Sequence, residues 1–227
     1  ELRTPLASIK GYATTLLADD VEWDQEAQSE FLQIISNEAD RLGDLVNNLL
    51  DMSRIEAGNV DLVRFSTSAE LLIQQAIDRS FPNKNGEFEV SVDPDLPLLY
   101  VDQPRIELVL RNLIENAVKY GGNQNTVHIS AVKDNHKVIF TVKDNGPGIP
   151  PDEKENVFIS FYRSEKHRND NTAGVGLGLA ICQGFVKAHN GEIWIDDVER
   201  GASISFSIPI LREDEIETDQ NIRVQRP

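Results

Sequence analysis

One cysteine, Cys182, stands among 227 residues. No disulfide can form within the chain, no Cys/His zinc spacing exists, and a reducing compartment fits. Basic residues are also scarce: 22 Lys and Arg face 38 Asp and Glu, for a net charge of −16. Such a surface repels nucleic acid and anionic lipid, so neither is an expected partner. A phosphate-bearing ligand must be met by a local basic cluster or by backbone N–H groups. No apolar run approaches the ~18 residues of a membrane span, so no membrane contact is expected of these residues. The opening lacks a signal-peptide pattern. The sequence begins at Glu1 without an initiator Met and is read as a piece of something longer.

What is present is ordinary for a soluble globular protein: 40% hydrophobic and 26% charged residues. Leu2, Leu6, Ile9, Ala13, Leu16 and Leu17 follow helical spacing, with Pro5 placed to kink the helix. An acidic connection over 18–24 leads to Asp24, which is positioned to cap a second, long helix ending at Gly58. Its apolar stripes (Phe31, Leu45, Met52; Ile35, Leu42, Leu49; Ile34, Val46, Leu50) repeat close to every seven residues, with Glu38 interrupting. A face this wide is best buried by a second copy in a four-helix bundle.

Beyond Asn59 the pattern changes. A short strand is expected over 60–65, then a helix with Thr67 and Glu70 as its capping box. A strand is expected at Phe88–Val92, and then a helix capped by Asp102 and running to about Tyr120. A hairpin follows, with strands 126–132 and 138–142 turning at Asp134–Asn135. A short helix after Pro151, a polar segment over 164–172, a helix from about Leu177 to His189, and strands 192–196 and 203–208 complete the pattern. The fold class is α+β, with helices on one face of a mostly antiparallel sheet. The domains read as 1–58, 59–211 and a polar tail, 212–227.

Three signals carry chemistry. Asn112, Asn116 and Lys119 fall on one helix face among apolar neighbours, and Tyr120 ends that helix. An amide oxygen suits Mg²⁺ and a lysine suits phosphate, although a solvated face has the same pattern. Asp144-Asn145-Gly146-Pro147-Gly148-Ile149 follows a strand; it is either a simple turn or a ligand wall with a carboxylate for an exocyclic amine. Gly174-Val175-Gly176-Leu177-Gly178-Leu179 opens a helix, where backbone N–H groups and the dipole favour phosphate. Arg163, Lys166 and Arg168 just before it supply local positive charge, on a stretch suited to a lid.

In this order, 112–120, 144–149, 158–163 and 174–179 resemble the N, G1, F and G2 boxes of the histidine-kinase ATP-binding domain. Residues 1–58, with Glu1-Leu2-Arg3-Thr4-Pro5-Leu6 and the LVNNLLDMSRIEAG run, resemble that family's dimerisation and phosphotransfer hairpin. The resemblance covers about 1–210 and implies a homodimeric hairpin followed by an ATPase sandwich of the Bergerat type. It implies ATP and Mg²⁺ as cofactors, a response-regulator receiver domain as partner, and a cytoplasmic location, with membrane anchoring of the parent left open.

Residue by residue, the resemblance makes Asn116 the Mg²⁺ ligand and puts Asn112 on the phosphate or metal side. Lys119 contacts phosphates, and Tyr120 packs near adenine and ribose. Asp144 accepts the adenine amino group, with Gly146, Gly148 and Ile149 forming that wall. Phe158 and Phe161 anchor the lid, and Arg163 reaches the γ-phosphate. Gly174, Gly176, Leu177, Gly178 and Leu179 form the phosphate cradle. Glu1 is the general base for the acceptor imidazole, and Thr4 positions a water for dephosphorylating the partner.

The acceptor histidine is expected immediately before Glu1, so the residues given hold none in the hairpin. His128, His136, His167 and His189 are read as structural or surface residues, His189 at a helix end where a cation suits the dipole. The alternative function is a nucleotide-binding pseudokinase scaffold that signals by docking.

Overall fold

The structure, a computed structural model, describes residues 2–18, 20–81, 87–122, 126–164 and 175–211. Glu1, Gly174, Lys166, His167, Arg168 and the tail 212–227 lie outside these residues. Helices α1 (Arg3–Leu16) and α2 (Gln25–Glu56) form an antiparallel hairpin. Asp24 caps α2, its carboxylate accepting from the Ala27 N–H at 2.8 Å. Gly58, at φ 67°, closes it. The N–H of Gly58 donates to Ile55 O and that of Asn59 to Arg54 O, so two orphan carbonyls are satisfied. Pro5 falls in the first turn of α1, where its missing N–H removes no helical bond; the expected kink has no cause there.

Aromatic packing pins the connection between the two helices. The Phe31 ring lies 5.4 Å from Tyr12 and 5.0 Å, edge-on, from Trp23, whose Nε1 donates to Thr15 O at 3.0 Å. Leu6 of α1 and Val46, Leu49 and Leu50 on the predicted stripes of α2 are 37 to 57% exposed within a single copy.

The strand expected over 60–65 is shorter and later. β1 (Phe65–Thr67) pairs antiparallel with β3 (Leu99–Val101), a strand the pattern did not signal. Thr67 is therefore held in a ladder. The next residue, Ser68, caps α3 (Ala69–Ser80), its hydroxyl accepting from the Leu71 N–H at 3.1 Å; this corrects the Thr67 capping box. β2 (Glu87–Val92), α4 (Gln103–Tyr120), β4 (Thr126–Asp134) and β5 (Lys137–Lys143) follow, and the hairpin turns at Asn135 with φ 54°. Where a short helix is expected after Pro151, residues 151–161 form successive turns. Helix α5 (Gly178–Ala188) precedes β6 (Ile193–Ile195) and β7 (Ser203–Pro209).

Five strands form one sheet in the order β2-β4-β5-β7-β6, with only β2 and β4 parallel. Alternation along β4, β5 and β7 turns Ile129, Ala131, Val138, Phe140, Ile204 and Phe206 to one face, which α3, α4 and α5 cover. Phe140 stacks on Phe206 at 4.8 Å between centroids. The lone Cys182 is part of this core; burial pushes its thiol pKa up, so it is a packing residue.

The hairpin docks on this sandwich through the end of α2. Arg105 Nη1 donates to both oxygens of the buried Asp51, at 2.9 and 3.1 Å, and its guanidinium lies 4.7 Å from the Phe185 centroid. Ile55 lies over Gly184, where a Cβ would fall 2.5 Å from Ile55 Cγ2. Replacing Arg105 with leucine leaves Asp51 with Arg54 at 3.7 Å. Because the Arg105 side chain is partly solvated, the expected loss is about 1–2 kcal/mol, read from the urea midpoint at pH 7. An unchanged midpoint would mean that the hairpin is undocked in solution.

Candidate active site

Helix α4 starts at a strong cap: Asp102 accepts from the Arg105 N–H through Oδ1 at 3.3 Å and from the Val63 N–H through Oδ2 at 2.8 Å. Its apolar face, Ile106, Val109, Leu110, Leu113 and Ile114, is fully buried and fixes the helix rotation. That rotation leaves Asn112 and Asn116 half-buried on a common face and Lys119 exposed. The amide of Asn112 donates to Leu108 O at 3.0 Å, which frees its oxygen to face α5. A Cβ on Gly178 would sit 2.9 Å from that oxygen, so the start of α5 closes on Asn112 as tightly as glycine permits. Lys119 Nζ lies 5.0 Å from the Tyr120 ring centroid, at the end of the same helix.

Asp144, at the end of β5, is 5% exposed. Its Oδ1 accepts from the N–H groups of Gly146 at 2.7 Å and Ala202 at 3.1 Å, and its own N–H donates to Ala202 O at 2.9 Å. Both described bonds of the carboxylate fall on Oδ1, so Oδ2 is the oxygen that these bonds leave available. The glycines here serve the close approach of backbones. A Cβ on Gly146 would meet Tyr120 O at 2.5 Å, one on Gly148 (φ 78°) would meet Gly201 O at 2.6 Å, and one on Gly201 (φ 81°) would meet Asp144 O at 1.8 Å. Gly201 lies between the expected strands 192–196 and 203–208, and its packing against Asp144 depends on a contact between residues 57 positions apart. Ile149 packs against the core.

The third wall joins the turns after Pro150 to the start of α5. Phe161 takes φ 66° and donates its N–H to Gly176 O at 2.9 Å, and a Cβ on Gly176 (φ 76°) would fall 2.5 Å from Tyr162 O. Phe158 and Arg163 are half-buried. Two predicted residues take other roles: the Phe161 ring is 60% exposed, so its anchoring is through backbone, and Leu177, 2% exposed, belongs to the core. Leu179 also packs against the core.

Tyr120 thus meets Gly146 beside Asp144, Asn112 meets Gly178, Gly176 meets Phe161 and Tyr162, and Gly148 meets Gly201, while Thr4 stands exposed on α1 in the hairpin. Glu1 and Gly174 lie outside the described residues. A cleft of about 450 Å³ opens between α2 and α4 and shares Asn112 with this site. Among the described residues no group of three His, Cys, Asp or Glu side chains could hold a metal. A divalent ion here would take amide oxygen, water and ligand phosphate, a donor set that fits Mg²⁺. No helix of the described residues is long and apolar enough to cross a membrane.

Comparisons with known proteins bear on the two parts of the chain. Residues 1–58 match the family described as His Kinase A (phospho-acceptor) domain. Residues 101–212 match the Histidine kinase-, DNA gyrase B-, and HSP90-like ATPase family. The chain is 36% identical over 225 residues to the sensor histidine kinase WalK of Bacillus subtilis, covering 97% of this chain and 37% of that protein. The chain spans between 23% and 37% of the first curated relatives it matches. Among solved structures, full-length ShkA in complex with AMPPNP superposes with a TM-score of 0.69 at 28% identity, covering 91% of this chain and 43% of that one. The histidine kinase ThkA in complex with the response regulator protein TrrA gives 0.68 at 26%, covering 92% and 59%. With a phosphoacceptor hairpin and an ATPase sandwich in this order on one chain, the protein belongs to the sensor histidine kinases of two-component systems.

Proposed function

We propose that this chain is the cytoplasmic catalytic portion of its kinase: it binds Mg–ATP between α4 and α5 and transfers the γ-phosphoryl to a hairpin histidine. The phosphoryl then passes to an aspartate of a response-regulator receiver domain, and the same hairpin can serve to dephosphorylate that partner. The observation that supports this reading is that α4 meets the start of α5 at Asn112 and Gly178 and the glycine turn after Asp144 at Tyr120 and Gly146, on a sandwich docked to a helical hairpin. The AMPPNP bound by ShkA and the regulator bound by ThkA support the ligand and the partner. The domains divide at about residue 58, and the exposed stripe of Val46, Leu49 and Leu50 is covered by a second copy.

When bound, Mg²⁺ neutralises phosphate charge; Asn116, aided by Asn112, would hold it. The protein's own work is positioning. Asp144 orients adenine, Tyr120 packs beside the base, and Lys119 and Arg163 meet phosphate charge. The first turn of α5 presents backbone N–H groups. Glu1 takes the acceptor imidazole's proton, and Thr4 holds the dephosphorylating water.

The test extends the chain upstream of Glu1 through the expected histidine and supplies labelled ATP. An acid-labile, alkali-stable label is the expected product, and Asn116→Ala is expected to weaken Mg²⁺-dependent nucleotide binding at least about a hundredfold. Nucleotide binding without a label would identify a docking scaffold instead. Unchanged affinity in Asn116→Ala would remove the metal assignment.

A further inference from the structure

His189 follows α5 and is 5% exposed. Its Nε2 lies 3.0 Å from the backbone N of Asp102, and its Nδ1 2.8 Å from Phe185 O. A backbone N–H can only donate, so Nε2 is the acceptor and Nδ1 carries the proton. One neutral tautomer therefore joins the end of α5 to the cap of α4. Asp102 receives the linker at the same point, its Oδ2 accepting from the Val63 N–H, and the next residue, Arg64, donates from Nη2 to Ala188 O at 3.1 Å. Three elements meet in one buried knot: the helix bearing Asn112 and Asn116, the helix begun by Gly178, and the linker that leaves the hairpin. Asn190 in the left-handed region (φ 58°), with Gly191 N–H donating to Val186 O, ends α5 immediately after His189.

We propose that His189 is a positioning residue for the nucleotide site, and that its neutral form sets nucleotide affinity and linker docking together. The inference rests on reading the α4/α5 site as the nucleotide pocket. Protonation would put an imidazolium N–H against the Asp102 N–H inside a site closed to water and release α4 from α5. The charged groups facing the ring are Asp102 from α4 and Arg64 from the linker; the carboxylate favours the cation and the guanidinium opposes it. Burial, aided by Arg64, outweighs the Phe185 carbonyl hydrogen bond and the Asp102 carboxylate and holds the pKa below its ordinary value near 6.5. The sign follows: the folded state prefers the neutral ring, so the contribution is full above about pH 6.5 and is lost as pH falls below it. Sequence reading placed a helix-end cation here. The acceptor role of Nε2 excludes that.

The experiment measures ADP affinity in Mg²⁺ buffer, and amide exchange at Val63 and Asp102, from pH 7.5 to 5.5. Three proteins are compared: wild type, His189→Gln and His189→Leu. Glutamine can accept from Asp102 and donate to Phe185 but does not titrate. Wild type is expected to lose affinity and protection at the acid end, and the difference between wild type and His189→Gln removes contributions from every other titrating group. His189→Gln is expected to keep affinity within about threefold and flatten the acid loss, whereas His189→Leu weakens ADP about tenfold at pH 7.5. Identical acid profiles in wild type and His189→Gln, or full affinity in His189→Leu, would overturn the proposal. If His189→Leu does not fold, the glutamine comparison still decides. Failure of wild type to bind ADP at pH 7.5 would strike the nucleotide reading, with exchange at Val63 and Asp102 still reporting on the knot.

Discussion

Replacing Gly201 by alanine is expected to lower the melting temperature by roughly 6–15 °C and weaken nucleotide binding at least about tenfold. Gly201 sits at φ 81°, and a Cβ built there falls 1.8 Å from the carbonyl oxygen of Asp144. The left-handed backbone costs a residue with a Cβ about 1–2 kcal/mol, and relieving the overlap by moving backbone costs about 1–3 kcal/mol more. Neither side has room to move: Asp144 exchanges hydrogen bonds with Ala202 beside it, and Gly201 O already lies where a Cβ on Gly148 would come within 2.6 Å. Binding suffers with stability because Ala202 N–H is one of the two donors that aim the Asp144 carboxylate. A useful contrast is Gly43→Ala in α2, where a Cβ meets nothing within 4 Å. That change is expected to stabilise by about 0.5–1 kcal/mol, since the helix interior gains a better former. Equal melting temperatures for the two variants would show that the 144–201 contact does not exist in solution.

The contrast also explains how much of this molecule could be read from its sequence. Long periodic segments were legible, because burial on one face imposes a repeat: α2 with its near-heptad stripes, α4 with Asp102 ahead of it, and the β4–β5 hairpin all stand where the pattern puts them. The glycine-rich motifs were legible as motifs. What each glycine meets was not, because Gly146 against Tyr120, Gly176 against Tyr162 and Gly201 against Asp144 are tertiary approaches with no local signature. β3 was missed because three residues cannot show a period of two, and its existence depends on pairing with β1. The cap of α3 was misplaced by one position because Thr67 and Ser68 both carry hydroxyls, and only the ladder to Leu99 decides which is free to cap. Phe161 and Leu177 were assigned to the site by motif membership, yet exposure of one and burial of the other follow from backbone direction. The Asp51–Arg105 clamp and the His189 knot join residues more than fifty positions apart and were not visible at all.

The change expected to act most sharply on ligand choice is Asp144→Asn. Two N–H donors, from Gly146 at 2.7 Å and Ala202 at 3.1 Å, converge on Oδ1. An asparagine has the same shape, and those donors force its oxygen into the Oδ1 position, because the amide nitrogen there would face N–H against N–H. The turn is kept, and stability should change by less than about 1 kcal/mol. The group in place of Oδ2 becomes an NH₂, so the pocket presents a donor where it had an acceptor. On the reading of this site as an adenine pocket, the exocyclic amine then meets a donor in a closed, 5% exposed position. ADP affinity is expected to fall about a hundredfold or more, since unpaired buried donors carry the full desolvation cost. Guanine bears a carbonyl at the same ring position, so the ratio of GDP to ADP affinity should rise in the variant even if both remain weak. Titration calorimetry of both nucleotides against wild type and Asp144→Asn separates the outcomes. A hundredfold loss with a shifted ratio assigns base recognition to this carboxylate. Unchanged ADP binding would confine Asp144 to holding the turn and move base recognition to another wall of the site.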